Sequence, residues 1–177
     1  MNYRQAFHLI KTDYARYTEN LQHQNRLKTL LQVGLLSRGF KYSFWLRLAG
    51  VNGLLLPLCW IMHRVFSTRY NIQISRLMKI GEGLSLGHGT CVLVNGSAVI
   101  GKHVTLAHFV SIGSIKGKAA TIEDNVYIGP HVSVIENVTI GHHAKIGSGS
   151  VVVHDVPPYS TAVGVPAKVV KLVLSKK

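Results

Sequence analysis

From Ile74 onward, aliphatic residues recur every six positions, and few folds accept that period. They fall at Ile74, Ile80, Leu86 and Val92, then after a two-residue slip at Ile100, Leu106 and Ile112. After a four-residue slip they continue at Ile122, Ile128, Val134, Ile140, Ile146 and Val152. A small residue often follows, as at Gly81, Gly87, Gly101, Ala107, Gly129 and Gly147. A second small or β-branched residue tends to sit four positions on, as at Val104, Val110, Val126, Val132, Val138 and Ala144. A lone strand repeats every two residues, and a helix, at about 3.6 residues per turn, would rotate these positions around its surface. A period of six suits a coil of short flat strands joined by tight turns, with the aliphatic side chain inward and a small residue permitting the turn. Three hexads make one triangular coil, and each coil hydrogen-bonds to the next around a shared core. A β-sandwich would space its turns about 8–12 residues apart.

Before this region the period is helical. Phe7, Ile10, Tyr14 and Tyr17 recur at spacings of three and four and predict one face of a helix. A second helix is expected over about Leu27–Leu36, and a third over about Lys41–Phe66, broken near Gly53 and Pro57. The expected division is a helical N-terminal region over 1–70, a β-helix over 71–171 and a basic tail over 172–177. The most apolar stretch, the fifteen residues Leu48–Met62, falls short of the roughly 20 a spanning helix needs. It reads as a buried or interfacial segment.

Charge and cysteine content narrow the function classes. The formal net charge is +13, and residues 1–76 hold 11 Lys/Arg against 2 acidic residues. A basic, apolar N-terminal third suits a polyanionic partner or peripheral contact with an anionic membrane face. No nucleic-acid motif accompanies the charge, so nucleic acid ranks lower. Two cysteines, Cys59 and Cys91, exclude a disulfide scaffold and suggest a reducing compartment. Residues 1–8 show no apolar signal-peptide core. A cytoplasmic protein is expected, and no metal-ligand pattern is present.

The repeats Ile128-Gly-Pro-His-Val-Ser, Ile140-Gly-His-His-Ala-Lys and Ile146-Gly-Ser-Gly-Ser-Val resemble the hexapeptide-repeat acyltransferases. The resemblance implies a left-handed parallel β-helix, usually trimeric, that uses acetyl-CoA. Within that family the serine acetyltransferase-like branch matches best. Its likeness is carried by Gly87-His88-Gly89-Thr90, by Gly96-Ser-Ala-Val-Ile-Gly-Lys-His-Val-Thr105, and by Val156-Pro-Pro-Tyr-Ser-Thr-Ala-Val-Gly-Val-Pro-Ala-Lys168. Two departures stand out. Serine acetyltransferases place an aspartate before the catalytic histidine, where this chain has Gly87. They also carry Arg-His-Pro on a longer loop, where this chain reads Ser114-Ile-Lys-Gly-Lys-Ala-Ala-Thr121, with Ala119 at the histidine position.

Those departures point to the bacterial polysaccharide O-acetyltransferases of this branch. The expected acceptor is therefore a glycan or lipid-linked saccharide of capsule, exopolysaccharide or lipopolysaccharide assembly. Serine O-acetylation for cysteine synthesis and a non-catalytic β-helix scaffold are the alternatives. A hydroxyl needs a base near pH 7 to accept its proton, and histidine has the right pKa. His88 is the candidate base, with glycines on both sides for close approach. His108 follows by 20 residues, or 18 without the slip, which places it one coil away on the same face. It is the second catalytic candidate. For acetyl-CoA the resemblance implies a groove between subunits that runs along the coil axis. Gly129, Ala144, Gly147 and Ser148 suit the pantetheine arm, and Lys145 and Lys168 suit phosphates. Glu82 and Glu123 are the nearest carboxylates to His88 by register, and neither is assigned to it.

Overall fold

The computed structural model describes residues 1–19, 32–115 and 117–172. Among the described residues three α-helices precede fifteen short strands: α1 (Tyr3–Thr18), α2 (Arg38–Ala49) and α3 (Leu56–Tyr70). The helix expected over Leu27–Leu36 lies largely outside the described residues, which show a π-helical turn at Gln32–Leu36. Asn2 caps α1: its side chain accepts from the Gln5 N–H, while the Gln5 side chain accepts from the Asn2 N–H. The face that α1 buries runs through Ala6, Ile10 and Asp13, and Phe7 is 57% exposed. The predicted stripe is one residue out at its start: Ala6 rather than Phe7 is buried there. The break expected near Gly53 and Pro57 is present. Helix α2 ends at Ala49, and α3 begins at Leu56 with Pro57 in its first turn, where a missing N–H costs nothing.

The strands wind into a parallel β-helix with three faces. The first face holds β1 (Ile72–Gln73), β4 (Val92–Val94), β7 (Val110–Gly113), β10 (Ser133–Ile135) and β13 (Val151–Val152). The second holds β2 (Lys79–Ile80), β5 (Val99–Ile100), β8 (Thr121–Ile122) and β11 (Thr139–Ile140). The third holds β3 (Ser85–Leu86), β6 (Thr105–Leu106), β9 (Tyr127–Ile128), β12 (Lys145–Ile146), β14 (Ser160–Val163) and β15 (Lys168–Leu172). All pairings are parallel except β14 with β15, which closes the last coil antiparallel. The aliphatic hexad positions stack coil on coil: Leu86 beside Leu106 and Leu106 beside Ile128, with Ile80 beside Ile100 and Ile100 beside Ile122. They form one continuous core.

The first slip lies elsewhere than the spacing suggested. Leu86 pairs with Leu106, 20 residues on, whereas Val92 pairs with Val110 and Val94 with Ile112, each 18 on. The two extra residues therefore sit between Leu86 and Val92, in the turn that carries His88. Both Val92 and Val94 point inward, so the pattern alone fits either placement.

Helices α1 and α2 are tied to the first coil by a buried ion pair. Asp13 is fully buried and accepts from Arg47 Nε at 2.9 Å and from a terminal Arg47 nitrogen at 3.0 Å. It also accepts the Leu84 N–H at 2.8 Å, while Arg47 donates to the carbonyls of Ile80 and Gly81. Burial pushes the Asp13 carboxyl up, and Arg47 opposes that shift.

Candidate functional site

The candidate catalytic histidines lie at the corner between the third and first faces. In successive coils it presents Gly89, Phe109, His131 and Gly149, all in the left-handed backbone region that such a tight corner requires. In the first coil the extra residues put His88 and Cys91 there as well, with φ of 60° and 52°. His88 is exposed at this corner. Its ring meets His108 edge to face with centroids 5.0 Å apart. His108 in turn meets His131 at 5.7 Å, and His131 stacks on Phe109 at 4.7 Å. The predicted one-coil relation between His88 and His108 is what the structure has. His131, an exposed turn residue, belongs to the same row.

The expected substrate approach is corrected at Gly89 alone. A Cβ on Gly89 would lie 2.1 Å from the Gly39 nitrogen, and one on Gly39 would lie 2.3 Å from the Leu86 carbonyl oxygen. The start of α2 takes up that space. The contact builds a cleft of about 500 Å³ whose wall includes Tyr17, Ser37, Arg38, Gly87, His88 and Thr90. Tyr17 fixes the wall: its hydroxyl accepts the Leu86 N–H at 2.8 Å, and burial raises its pKa. Sequence reasoning missed Tyr17 and Arg38, since only the docking of the helices brings them to His88.

Neither carboxylate near in register serves His88. Glu82 binds His8 and Lys102, which hold its pKa below the usual range, and Glu123 accepts the His142 N–H. Among the described residues no ion pair includes His88. His108 Nδ1 is buried without a hydrogen-bond partner among them. Asp13 is committed to Arg47 and lies in no cleft wall with His88.

The expected donor residues divide. Ser148 is exposed next to Gly149 at the His88 corner, three coil steps away, or about 14 Å at the usual strand spacing. Lys145 projects from β12 on the outer third face, and Lys168 from β15 on the same sheet. Ala144 is corrected: it is fully buried in the core, so its side chain belongs to no surface groove. Gly129 and Gly147 are small for coil stacking. A Cβ on Gly129 would lie 2.8 Å from the Ile146 carbonyl oxygen, and one on Gly147 would lie 2.6 Å from the Val163 side chain. The loop over 114–121 is anchored by Glu136, which accepts from Ser114 and the Ile115 N–H. Ala119 faces inward, and Lys116 lies outside the described residues.

Comparison with known proteins places the chain. Residues 119–154 match the model of the bacterial transferase hexapeptide (six repeats). The serine acetyltransferase of Escherichia coli is 33% identical over 138 residues, covering 75% of this chain and 49% of that protein. The crystal structure of Neisseria gonorrhoeae serine acetyltransferase superposes with a TM-score of 0.82 at 30% identity, covering 98% of this chain and 69% of that one. The same enzyme in complex with serine gives 0.78 at 30% identity, covering 96% and 70%. The chain spans about half the length of the curated relatives it matches. These findings overturn the expectation of a polysaccharide O-acetyltransferase. The expectation rested on Gly87 and the altered loop, two local departures, whereas the likeness to serine acetyltransferases runs through helices and β-helix alike.

Proposed function

We propose that this chain, which belongs to the serine acetyltransferase family, transfers the acetyl group of acetyl-CoA to the hydroxyl of L-serine with His88 as general base. The observation that carries the reading is His88 exposed in the wall of a cleft built jointly by the helices and the first coil. A ring nitrogen of His88 accepts the serine hydroxyl proton as the oxygen attacks the thioester carbonyl. The tetrahedral intermediate collapses with cleavage of the carbon–sulfur bond. The imidazolium then returns its proton to the departing thiolate, which leaves O-acetylserine and free CoA. Arg38, in the same cleft, suits the serine carboxylate, since guanidinium and carboxylate pair in a fork.

For acetyl-CoA the fitting surface is the corner that runs from His88 past Phe109 and His131 to Ser148. It follows the coil axis, so an extended arm laid along it ends its thioester beside His88. Lys145 and Lys168, on the neighbouring face, suit the phosphates. His108, edge-on to His88, acts as a positioning residue that limits the ring's swing. The exposed flat faces of the β-helix suit a homotrimer, which would bury them and place this corner near a subunit boundary. Sedimentation decides that point: three times the 19.5 kDa subunit is expected, and a stable monomer at micromolar concentration contradicts it. For the function, thiol release from acetyl-CoA is followed with L-serine, free sugars and a purified polysaccharide in parallel. Release that depends on serine alone is expected, and release with sugars but not with serine rejects the acceptor.

A further inference from the structure

Helix α3 is apolar on two sides. Its inner side packs Cys59, His63 and Tyr70, yet its outer side is also apolar. Leu54 (95% exposed), Leu58, Ile61 and Val65 form an exposed stripe at spacings of three and four, with Trp60 beside it. Such a patch on a soluble surface marks an interaction site. Arg64 and Arg69 are exposed on the same helix. Adjoining the stripe is a cavity of about 580 Å³ with Trp60, His63, Arg64 and Arg76 in its wall and no carboxylate. The wider segment has the same bias: no acidic residue occurs between Glu19 and Glu82, while nine Lys/Arg do.

We propose that α3 is a membrane-interface helix, with the Leu54–Val65 stripe lying in the acyl boundary and an anionic lipid phosphate held between Arg64 and Arg76. Trp60 sits between the apolar and the basic parts, where an amphipathic ring is favoured. At 15 residues α3 is too short to cross a bilayer, and no described helix is long and apolar enough to do so, so the contact lies in the interface plane. A second copy of the chain fits less well. A twofold contact along α3 would set Arg64 and Arg69 near their own copies, with no carboxylate in the segment to offset them. Burial and the two arginines hold the His63 pKa down, as a positive, anion-seeking recess would. The inference does not depend on the acceptor at His88.

Flotation of the full chain with vesicles tests it, comparing phosphatidylcholine alone with phosphatidylcholine containing phosphatidylglycerol. Binding is expected to the anionic vesicles and to weaken with salt. Leu58→Ser combined with Ile61→Ser should lower the partition coefficient roughly tenfold or more. Arg64→Gln should lower it about fivefold. Leu54→Ser, in an exposed turn without packing, is the variant whose fold is safest, and it should lower binding by several-fold as judged beside an unchanged melting curve. Equal binding to neutral vesicles, unchanged partition in these variants, or complete displacement by inorganic phosphate would each overturn the proposal. So would a fall in oligomer mass on substitution with no vesicle binding in the wild type, which would assign the stripe to a second copy.

Discussion

Removing the Asp13 carboxylate is expected to destabilise the whole chain far more than one surface residue would. Asp13 is fully buried and Arg47 is 5% exposed, so the guanidinium in an Asp13→Ala variant stays in the interior without its counter-charge. Breaking a buried pair by deleting one partner costs about 3–5 kcal/mol. The Leu84 N–H loses its acceptor too. The Ile80 and Gly81 carbonyls still receive Arg47 and keep the loss from rising further. For a chain of 177 residues that loss corresponds to a fall in Tm of roughly 6–20 °C. The assay is urea unfolding followed by circular dichroism, with Asp13→Leu/Arg47→Met as companion. The double variant carries no buried charge and should lose far less than Asp13→Ala, because well-packed apolar replacements of an ion pair are often neutral. A single variant within about 1 kcal/mol of wild type, or a double variant worse than the single, would refute the reasoning.

Three other outcomes are expected. Gly87→Asp should raise kcat/KM for serine roughly 10- to 100-fold, the range for a hydrogen bond to a charged group. The new Cβ would be tight only against the Ala107 Cα at 3.3 Å, with the Leu106 carbonyl oxygen at 3.7 Å in ordinary contact, and a shift of a few tenths of an ångström relieves it; unchanged serine kinetics would mean that a carboxylate at this position does not reach the serine ammonium group. Burial lowers the His63 pKa, so below about pH 6.5 the unfolded chain takes a proton that the folded chain refuses. The stability advantage of wild type over His63→Gln should therefore shrink as pH falls below that value; a pH-independent gap in parallel urea titrations would reject it. His108→Ala should lower kcat roughly 10- to 100-fold with little change in the KM for acetyl-CoA, through a loosened His88 ring. A shift in the pH–rate profile distinguishes this from a folding defect, and an unaltered profile with full kcat would remove His108 from the site.

The β-helix was legible because its signal is repeated. Each inward aliphatic position is supported by its neighbours one coil away, as Leu86 is by Leu106 and Leu106 by Ile128. The place of the first slip was not, since Val92 and Val94 are both inward and a two-residue insertion fits on either side of them. His88 and His108 could be paired by counting, because coil stacking turns sequence distance into spatial distance. Tyr17, Arg38 and Gly39 had no such ruler: the Gly39–Gly89 contact depends on how helices dock, which no period encodes. Ala144 shows the opposite error. Its small size reads equally as a groove floor or a core position, and full burial decides for the core. The acceptor was misread from Gly87 and Ala119, where single departures were given more weight than a likeness that spans nearly the whole chain.

In the proposed reaction His88 drives acetyl transfer to serine, and a single assay isolates that role. Thiol release from acetyl-CoA is recorded with and without L-serine for wild type and for His88→Ala, with acetyl-CoA binding measured on both. Serine-dependent release by wild type is expected, reduced roughly 100-fold or more in the variant, the scale for losing a general base, while acetyl-CoA binds equally. Absence of serine-dependent release in wild type, or a variant within a few-fold of it, would contradict the account.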